Sequence, residues 1–283
     1  MMRSLLYVPG SAERFIAKAH LRGADAIIVD LEDAVAASEK LNARAALATV
    51  VPRVGQAGAQ VFVRVNHLTD LVRQDAEAAC MAGAYGLYLP KTSGTEILER
   101  LDAVLQPLER RLGRKPMAFV PLIEDAVGVL RAQDIARGPR VLALSMGIED
   151  MATSFGGEPL PDVIRIPRML IHLAAKAAGK LSLGLMRTVA DYRDTEAMRA
   201  SIIEAKAFGI DGASCIHPSV VPLLNAGFSP GQKEIDHARR LVTAAEVAQR
   251  DGIGAFTFEG MFVDAPIVER AKSLLVYAQD VTN

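Results

Sequence analysis

Short apolar runs recur along the chain at intervals of about one strand plus one helix, and no other feature restricts the fold so tightly. There are eight: RSLLYVPG (3–10), DAIIVDLED (25–33), QVFVRVN (60–66), GLYLPKT (86–92), MAFVPLIED (117–125), VLALSMGIED (141–150), LSLGLMRTV (181–189) and GASCIHP (212–218). Helix-forming stretches separate them, such as EILERLDAVLQPLERRLG (96–113), with apolar residues three and four apart. Continuous rather than alternating apolar runs belong to strands covered on both faces, so the expected sheet is parallel. Eight such units over residues 1–225 predict a (β/α)8 barrel, a fold of about 250 residues. The seventh run, with glycines nearby, reads as strand or as loop. The competing architecture, an open doubly wound sheet, normally carries a glycine-rich phosphate turn after its first strand, and VPGSAERF has a single glycine there. Residues 226–283 are expected to form a C-terminal helical extension, with helices around the segment GAFTFEGMFVDAP.

Half of the residues are hydrophobic (51%), which excludes general disorder and gives one large barrel enough apolar surface for its core. Thirty-two Lys plus Arg stand against thirty-three Asp plus Glu, so no net field draws in nucleic acid or an anionic membrane; the expected partner is a small molecule. Cys80 and Cys215 fit neither a zinc nor a redox spacing and read as reduced thiols. No apolar run approaches the roughly 18 residues of a membrane helix, and MMRSLLYVPG is too short in apolar residues for a signal peptide. A cytoplasmic enzyme is the expectation.

The fifth and sixth runs close on paired acids, Glu124-Asp125 and Glu149-Asp150. A lone carboxylate is costly to bury, so acids closing core strands call for water or a cation. In a barrel these ends build the active site, which gathers Asp30, Glu32, Asp33, Arg64, Asn66, Lys91, Glu124, Asp150, Arg187 and His217. Carboxylate oxygens from one or two residues suit Mg²⁺ better than zinc. Arg64 has the geometry to grip a carboxylate with two hydrogen bonds. Asp125 and Glu149 read as acids of helix N-termini, and one of Asp30, Glu32 and Asp33 is expected to orient Arg64 or Lys91. Both His217 and Arg187 stand open between a structural and a functional role, and Cys215 reads as packing.

The motifs LLYVPG, DAIIVDLEDAV with Lys40 and Ala43-Arg44, VRVN, LPK, PLIEDAVG, GIEDMATSFG, CIHPSVVPLLNAGFSP and GMFVDAP occur in this order. In them the chain resembles the citrate lyase beta-subunit, or HpcH/HpaI aldolase, family of Mg²⁺-dependent carbon–carbon lyases. The resemblance implies a TIM barrel of the phosphoenolpyruvate/pyruvate type, with Glu124 and Asp150 as metal ligands and Arg64 on the keto-acid carboxylate. It implies coenzyme A as part of the substrate, and Asp264 as an acid reaching a neighbouring subunit's site in a homo-oligomer, a trimer or a dimer of trimers. Arg64, Glu32 and Asp264 are the expected catalytic residues, with Asn66, Lys91 and Arg187 on the substrate. Where the family carries an Arg two residues after the turn glycine, for coenzyme A, this chain has Ala12; Arg14 is close enough to substitute, and Lys18 stands in place. The family's Gly-Lys before IHP is Ala213-Ser214, and its Asp-Gly after the seventh strand corresponds to Met186-Arg187.

The implied reaction is a retro-Claisen cleavage of a malyl-, citramalyl- or citryl-CoA-like thioester to acetyl-CoA and a keto acid. Two alternatives follow from the same residues: an aldolase acting on a free keto acid without coenzyme A, and a subunit of a lyase complex acting on a carrier-protein thioester.

Overall fold

A computed structural model describes residues 2–67, 69–188 and 192–282. The strands are β1 (Ser4–Pro9), β2 (Ala26–Asp30), β3 (Gln60–Arg64), β4 (Gly86–Leu89), β5 (Ala118–Ile123), β6 (Ala143–Met146), β7 (Leu181–Leu183), β8 (Ala213–Cys215), β9 (Phe256–Phe258) and β10 (Met261–Val263). The helices are α1 (Glu13–Ala19), α2 (Lys40–Gly55), α3 (Thr69–Met81), α4 (Glu96–Leu112), α5 (Ala126–Leu130), α6 (Ala132–Arg137), α7 (Ile148–Phe155), α8 (Pro161–Ala177), α9 (Thr195–Ala207), α10 (Val221–Phe228), α11 (Gln232–Arg250) and α12 (Ala265–Thr282). The chain divides into two compact units, Met2–Ala226 and a unit from Gly227 onward.

In the first unit all eight strands are parallel, in the order β7-β6-β5-β4-β3-β2-β1-β8. A parallel bridge between Leu183 and Gly212, with the Gly184 N–H donating to the Gly212 carbonyl at 2.8 Å, joins β7 to β8 and closes the barrel. The parallel (β/α)8 expectation therefore holds, including its seventh strand, which is three residues long. The end of that apolar run, Val189, lies outside the described residues.

The apolar runs overestimate strand length at their polar ends, for a local reason. Acids following a strand serve the next helix: the Asp125 side chain accepts from the Gly128 N–H and caps α5, and Glu149 and Asp150 lie in the first turn of α7, where the dipole favours negative charge.

Inside the barrel, Leu5, Ala26, Ile28, Phe62, Tyr88, Val120, Ala143 and Leu183 form one buried cluster. Tyr88 meets Phe62 and Tyr7 edge-on, with ring centroids 5.7 and 6.1 Å apart. Glycine is needed at Gly86, because a Cβ there would fall 2.4 Å from the Ala118 carbonyl and 2.7 Å from the Phe62 ring. This filled interior leaves only the strand ends free for chemistry.

The second unit is not purely helical. Between α11 and α12 the strands β9 and β10 form an antiparallel hairpin, turning through Glu259 and Gly260, both at positive φ (48° and 81°) as a two-residue turn requires. Its own core, Ala238, Leu241, Val263 and Ala271, is flanked by Phe256 and Phe258. Of the large apolar residues in GAFTFEGMFVDAP, Met261 and Phe262 stay mostly exposed, at 64% and 66%. No described helix is long and apolar enough to cross a membrane.

Candidate functional site

A cavity of about 410 Å³ opens at the carboxyl ends of the barrel strands. Its wall includes Tyr7 from β1, Asp30 from β2, Arg64 from β3, Glu124 after β5, Ser145 from β6, Asp150 on α7 and Arg168 on α8.

Glu124 follows β5 directly and is 6% exposed. Its Oε2 accepts the backbone N–H of Lys91 at 2.7 Å, a contact made possible by the left-handed φ of Lys91, 51°. On the other side Gly147 makes room for it, since a Cβ there would lie 2.3 Å from Glu124 Oε1. Burial raises the Glu124 carboxyl to about 8; the Lys91 N–H opposes this, and the negative charges of Asp150 and Glu32 add to it. Asp150 sits four residues beyond β6 on the exposed first turn of α7, not at the strand end itself, because the chain enters the helix at Gly147. A buried acid held by one N–H and crowded by a second carboxylate fits a hard divalent cation. Among the described residues no cluster of three or more His, Cys, Asp or Glu is arranged to hold a metal. Two carboxylates suffice for Mg²⁺, which keeps waters and takes substrate oxygens for the rest of its shell.

Arg64 is gripped by Asp30: Nε donates to Oδ1 at 2.7 Å and Nη2 to Oδ2 at 2.6 Å. Its Nη1 lies 3.2 Å from Glu32 and 3.3 Å from Asp33, and its guanidinium stands 5.2 Å from the Tyr7 ring centre. Burial alone would lower the Arg64 pKa, and Asp30 instead lifts it above the ordinary value. Asp30 is itself fixed by the backbone N–H groups of Glu32 and Ala34, at 2.9 and 3.1 Å. Glu32 is raised by burial and held down by Arg64, and it also bonds His67 Nδ1 at 2.9 Å. Arg64 is thus oriented by acids of the LED segment.

Other expected site residues stand elsewhere. Asn66 is buried and tied to Asp75 (2.9 and 2.7 Å) and to Lys40, and with the Lys91 side chain it lines a separate hollow of about 200 Å³. Arg14 and Lys18 lie exposed on α1, and Arg187 is half-buried after β7; none of the three lines the cavity at the strand ends. His217 bonds Ser219 at 2.7 Å and stacks on Tyr192 with centroids 4.6 Å apart, a local turn-forming role. Asp264 belongs to the second unit, where its backbone carbonyl accepts from Ile267 and Val268 at the start of α12; its Oδ1 is buried and has no hydrogen-bond partner among the described residues. Tyr7, Ser145 and Arg168 line the cavity and are not among the site residues expected from sequence. Ser145 carried a signal, being the polar residue within the apolar run LALSM.

Fold and site together define a (β/α)8-barrel enzyme with acidic side chains gathered at the strand ends. The HpcH/HpaI aldolase/citrate lyase family matches residues 3–218, and the chain belongs to that family. It is therefore an enzyme of the carbon–carbon lyase type. It is 36% identical over 282 residues to a (3S)-malyl-CoA thioesterase of Cereibacter sphaeroides, covering 99% of this chain and 95% of the relative. It is 33% identical to the citrate lyase subunit beta of Escherichia coli, covering 98% and 93%. Among solved structures, the CitE protein of Mycobacterium tuberculosis in complex with magnesium, acetoacetate and coenzyme A superposes with a TM-score of 0.79 at 30% identity, covering 98% of this chain and 97% of that one.

Proposed function

We propose that the chain is a Mg²⁺-dependent lyase that cleaves a 3-hydroxyacyl-CoA thioester of the malyl, citramalyl or citryl type to acetyl-CoA and a keto acid. The observation that carries this reading is the buried Glu124 carboxylate, raised to about 8 and crowded by Asp150 at the mouth of a closed barrel. The CitE neighbour, whose complex holds magnesium and coenzyme A, supports it.

Glu124 and Asp150 would hold the Mg²⁺ ion, whose Lewis acidity would acidify the substrate hydroxyl and neutralise the adjacent carboxylate. Arg64, fixed in plane by Asp30 and Glu32, presents positive charge to the carboxylate of the departing keto acid. Glu32 acts here by holding Arg64 and keeping its charge in place. As the hydroxyl loses its proton to solvent water, the O–H electron pair forms the keto carbonyl, the carbon–carbon bond breaks, and its electron pair passes to the thioester enolate. That carbon then needs a proton, and Asp264 is the proposed donor, supplied by a neighbouring copy of the chain in a closed homo-oligomer. Arg14 and Lys18, both exposed on α1, are the proposed contacts for the coenzyme A phosphates.

Thioester hydrolysis is a second reading, favoured by the 36% identity to a malyl-CoA thioesterase. Incubation with Mg²⁺ and each of malyl-, citramalyl- and citryl-CoA, with identification of the keto acid released, tests the lyase reading; no keto acid from any of them would refute it.

A further inference from the structure

Arg168 is a charged cavity residue that the proposed reaction leaves without a role. It lies on the buried stripe of α8, with Ile164, Ile171, Ala174 and Ala175, a position where helical spacing calls for an apolar side chain. It is 2% exposed, and among the described residues no acid pairs with it. Its only hydrogen bonds there run to two carbonyls, from Nη1 to Leu183 at 3.0 Å and from Nη2 to Met146 at 3.5 Å, and Nε has no partner. Burial lowers its pKa to about 10, so the guanidinium is still charged at neutral pH. A buried cation without an anion is costly to maintain.

The barrel makes room for this cation. Gly184, at the end of β7 with φ +145°, lies directly over the guanidinium, and a Cβ there would be 2.2 Å from Nη1. Arg168 also stands close to the acidic centre. Its Nη2 meets the Met146 carbonyl, while Glu124 Oε1 fits against the next residue, Gly147. The cation and the Glu124 carboxylate thus flank one peptide unit, at most about 10 Å apart in the same cavity.

We infer that Arg168 is a receptor for a second carboxylate on the substrate, so that the site selects keto acids, and the thioesters that release them, with a distal acid group. One end of such a dianion lies at Glu124 and Asp150, and its far carboxylate supplies the anion that the buried guanidinium lacks. A guanidinium presents paired N–H donors to a carboxylate, and here two carbonyls and no acid answer it, with the buried Nε left without a partner. A keto acid without the distal group leaves Arg168 desolvated and unpaired, which disfavours its binding.

The inference rests on the cavity being the keto-acid site proposed above, and equilibrium binding tests it without relying on turnover. Oxaloacetate and pyruvate are titrated, with saturating Mg²⁺, into the full chain and into its Arg168→Lys and Arg168→Met variants. The wild type is expected to bind oxaloacetate about 10- to 100-fold more tightly than pyruvate. Arg168→Met should collapse that ratio towards unity, and Arg168→Lys, which keeps the charge but not the planar donor pair, should retain part of it. Equal affinities in the wild type, or an undiminished ratio in Arg168→Met, would overturn the inference. If the methionine variant does not fold, the wild-type ratio and its reduction in Arg168→Lys decide the matter. A preference that depends on Arg168 in a protein that cleaves no thioester would sink the lyase reading and leave this one standing.

Discussion

The backbone N–H of Lys91 donates to Glu124 Oε2 at 2.7 Å, from a residue held at φ 51°. The main chain of LPK therefore positions the acid, while the Lys91 side chain lines a different hollow. Lys91→Gly keeps the N–H and suits the left-handed conformation, so it should retain Mg²⁺ affinity and unfold within about 1 kcal/mol of the wild type. Lys91→Pro removes the donor and cannot adopt this φ, and should lose both. Calorimetric Mg²⁺ titration with thermal melts checks the pair; loss of Mg²⁺ binding in Lys91→Gly would show that the ammonium group is needed.

Glu124→Gln and Asp150→Asn should each abolish Mg²⁺ binding while leaving the protein folded, as read by calorimetry and circular dichroism. The pH dependence has a definite sign. Burial raises the folded-state Glu124 carboxyl from 4.5 to about 8, so the stability linked to its proton is fully present below 4.5 and is lost as pH rises through about 8. Metal-free melting temperatures should fall over that window, Glu124→Gln should flatten the fall, and Mg²⁺ should stabilise more strongly at the alkaline end. Equal Mg²⁺ stabilisation at both ends of the window would contradict this.

Arg64 balances Asp30 and Glu32, which are 1% and 3% exposed. Arg64→Met leaves those acids buried without a counter-charge and should destabilise the protein by about 3–5 kcal/mol in denaturant unfolding. Arg64→Lys keeps a charge but not the paired hydrogen bonds, so it should fold and raise KM for the keto acid in the condensation direction by at least about tenfold.

Gly184→Ala puts a methyl group where the Arg168 guanidinium lies, on backbone at φ +145°. It should cost about 1–3 kcal/mol and weaken the preference for oxaloacetate over pyruvate as Arg168→Met does. A destabilised variant with the wild-type preference would separate Gly184 from Arg168.

If Asp264 acts in a neighbouring copy of the chain, Asp264→Asn and Glu124→Gln, each inactive alone, should regain part of the activity when refolded together. A verified mixed oligomer with no recovery would show that Asp264 does not act in trans.

The barrel was legible because eight apolar runs, continuous enough for strands covered on both faces, are spaced for intervening helices. Glu124 was legible because it stands at the end of such a run. Strand ends were less so: the acids that close the runs are also good helix starters, and Asp150, expected at a strand end, lies in the first turn of α7, while Asp125 caps α5 as its place in the sequence implies. The hairpin is hard to read from sequence although Glu259-Gly260 is a two-residue turn between FTF and MFV, because its strands are only three residues each. Arg168 left no trace in the pattern, since a charge on the apolar stripe of an amphipathic helix reads as an ordinary interruption. Only the closed barrel shows that it is buried, unpaired by acid, and on the wall of the cavity that holds Glu124.

The most direct test of the account is the product balance from citryl-CoA and malyl-CoA with Mg²⁺, followed by mass spectrometry, in the wild type and in Glu124→Gln. Carbon–carbon cleavage yields one acetyl-CoA for each keto acid, and it should stop when Mg²⁺ is chelated or Glu124 is replaced. Release of free coenzyme A with the intact hydroxy acid, and no keto acid, would contradict the account and make the chain a thioesterase.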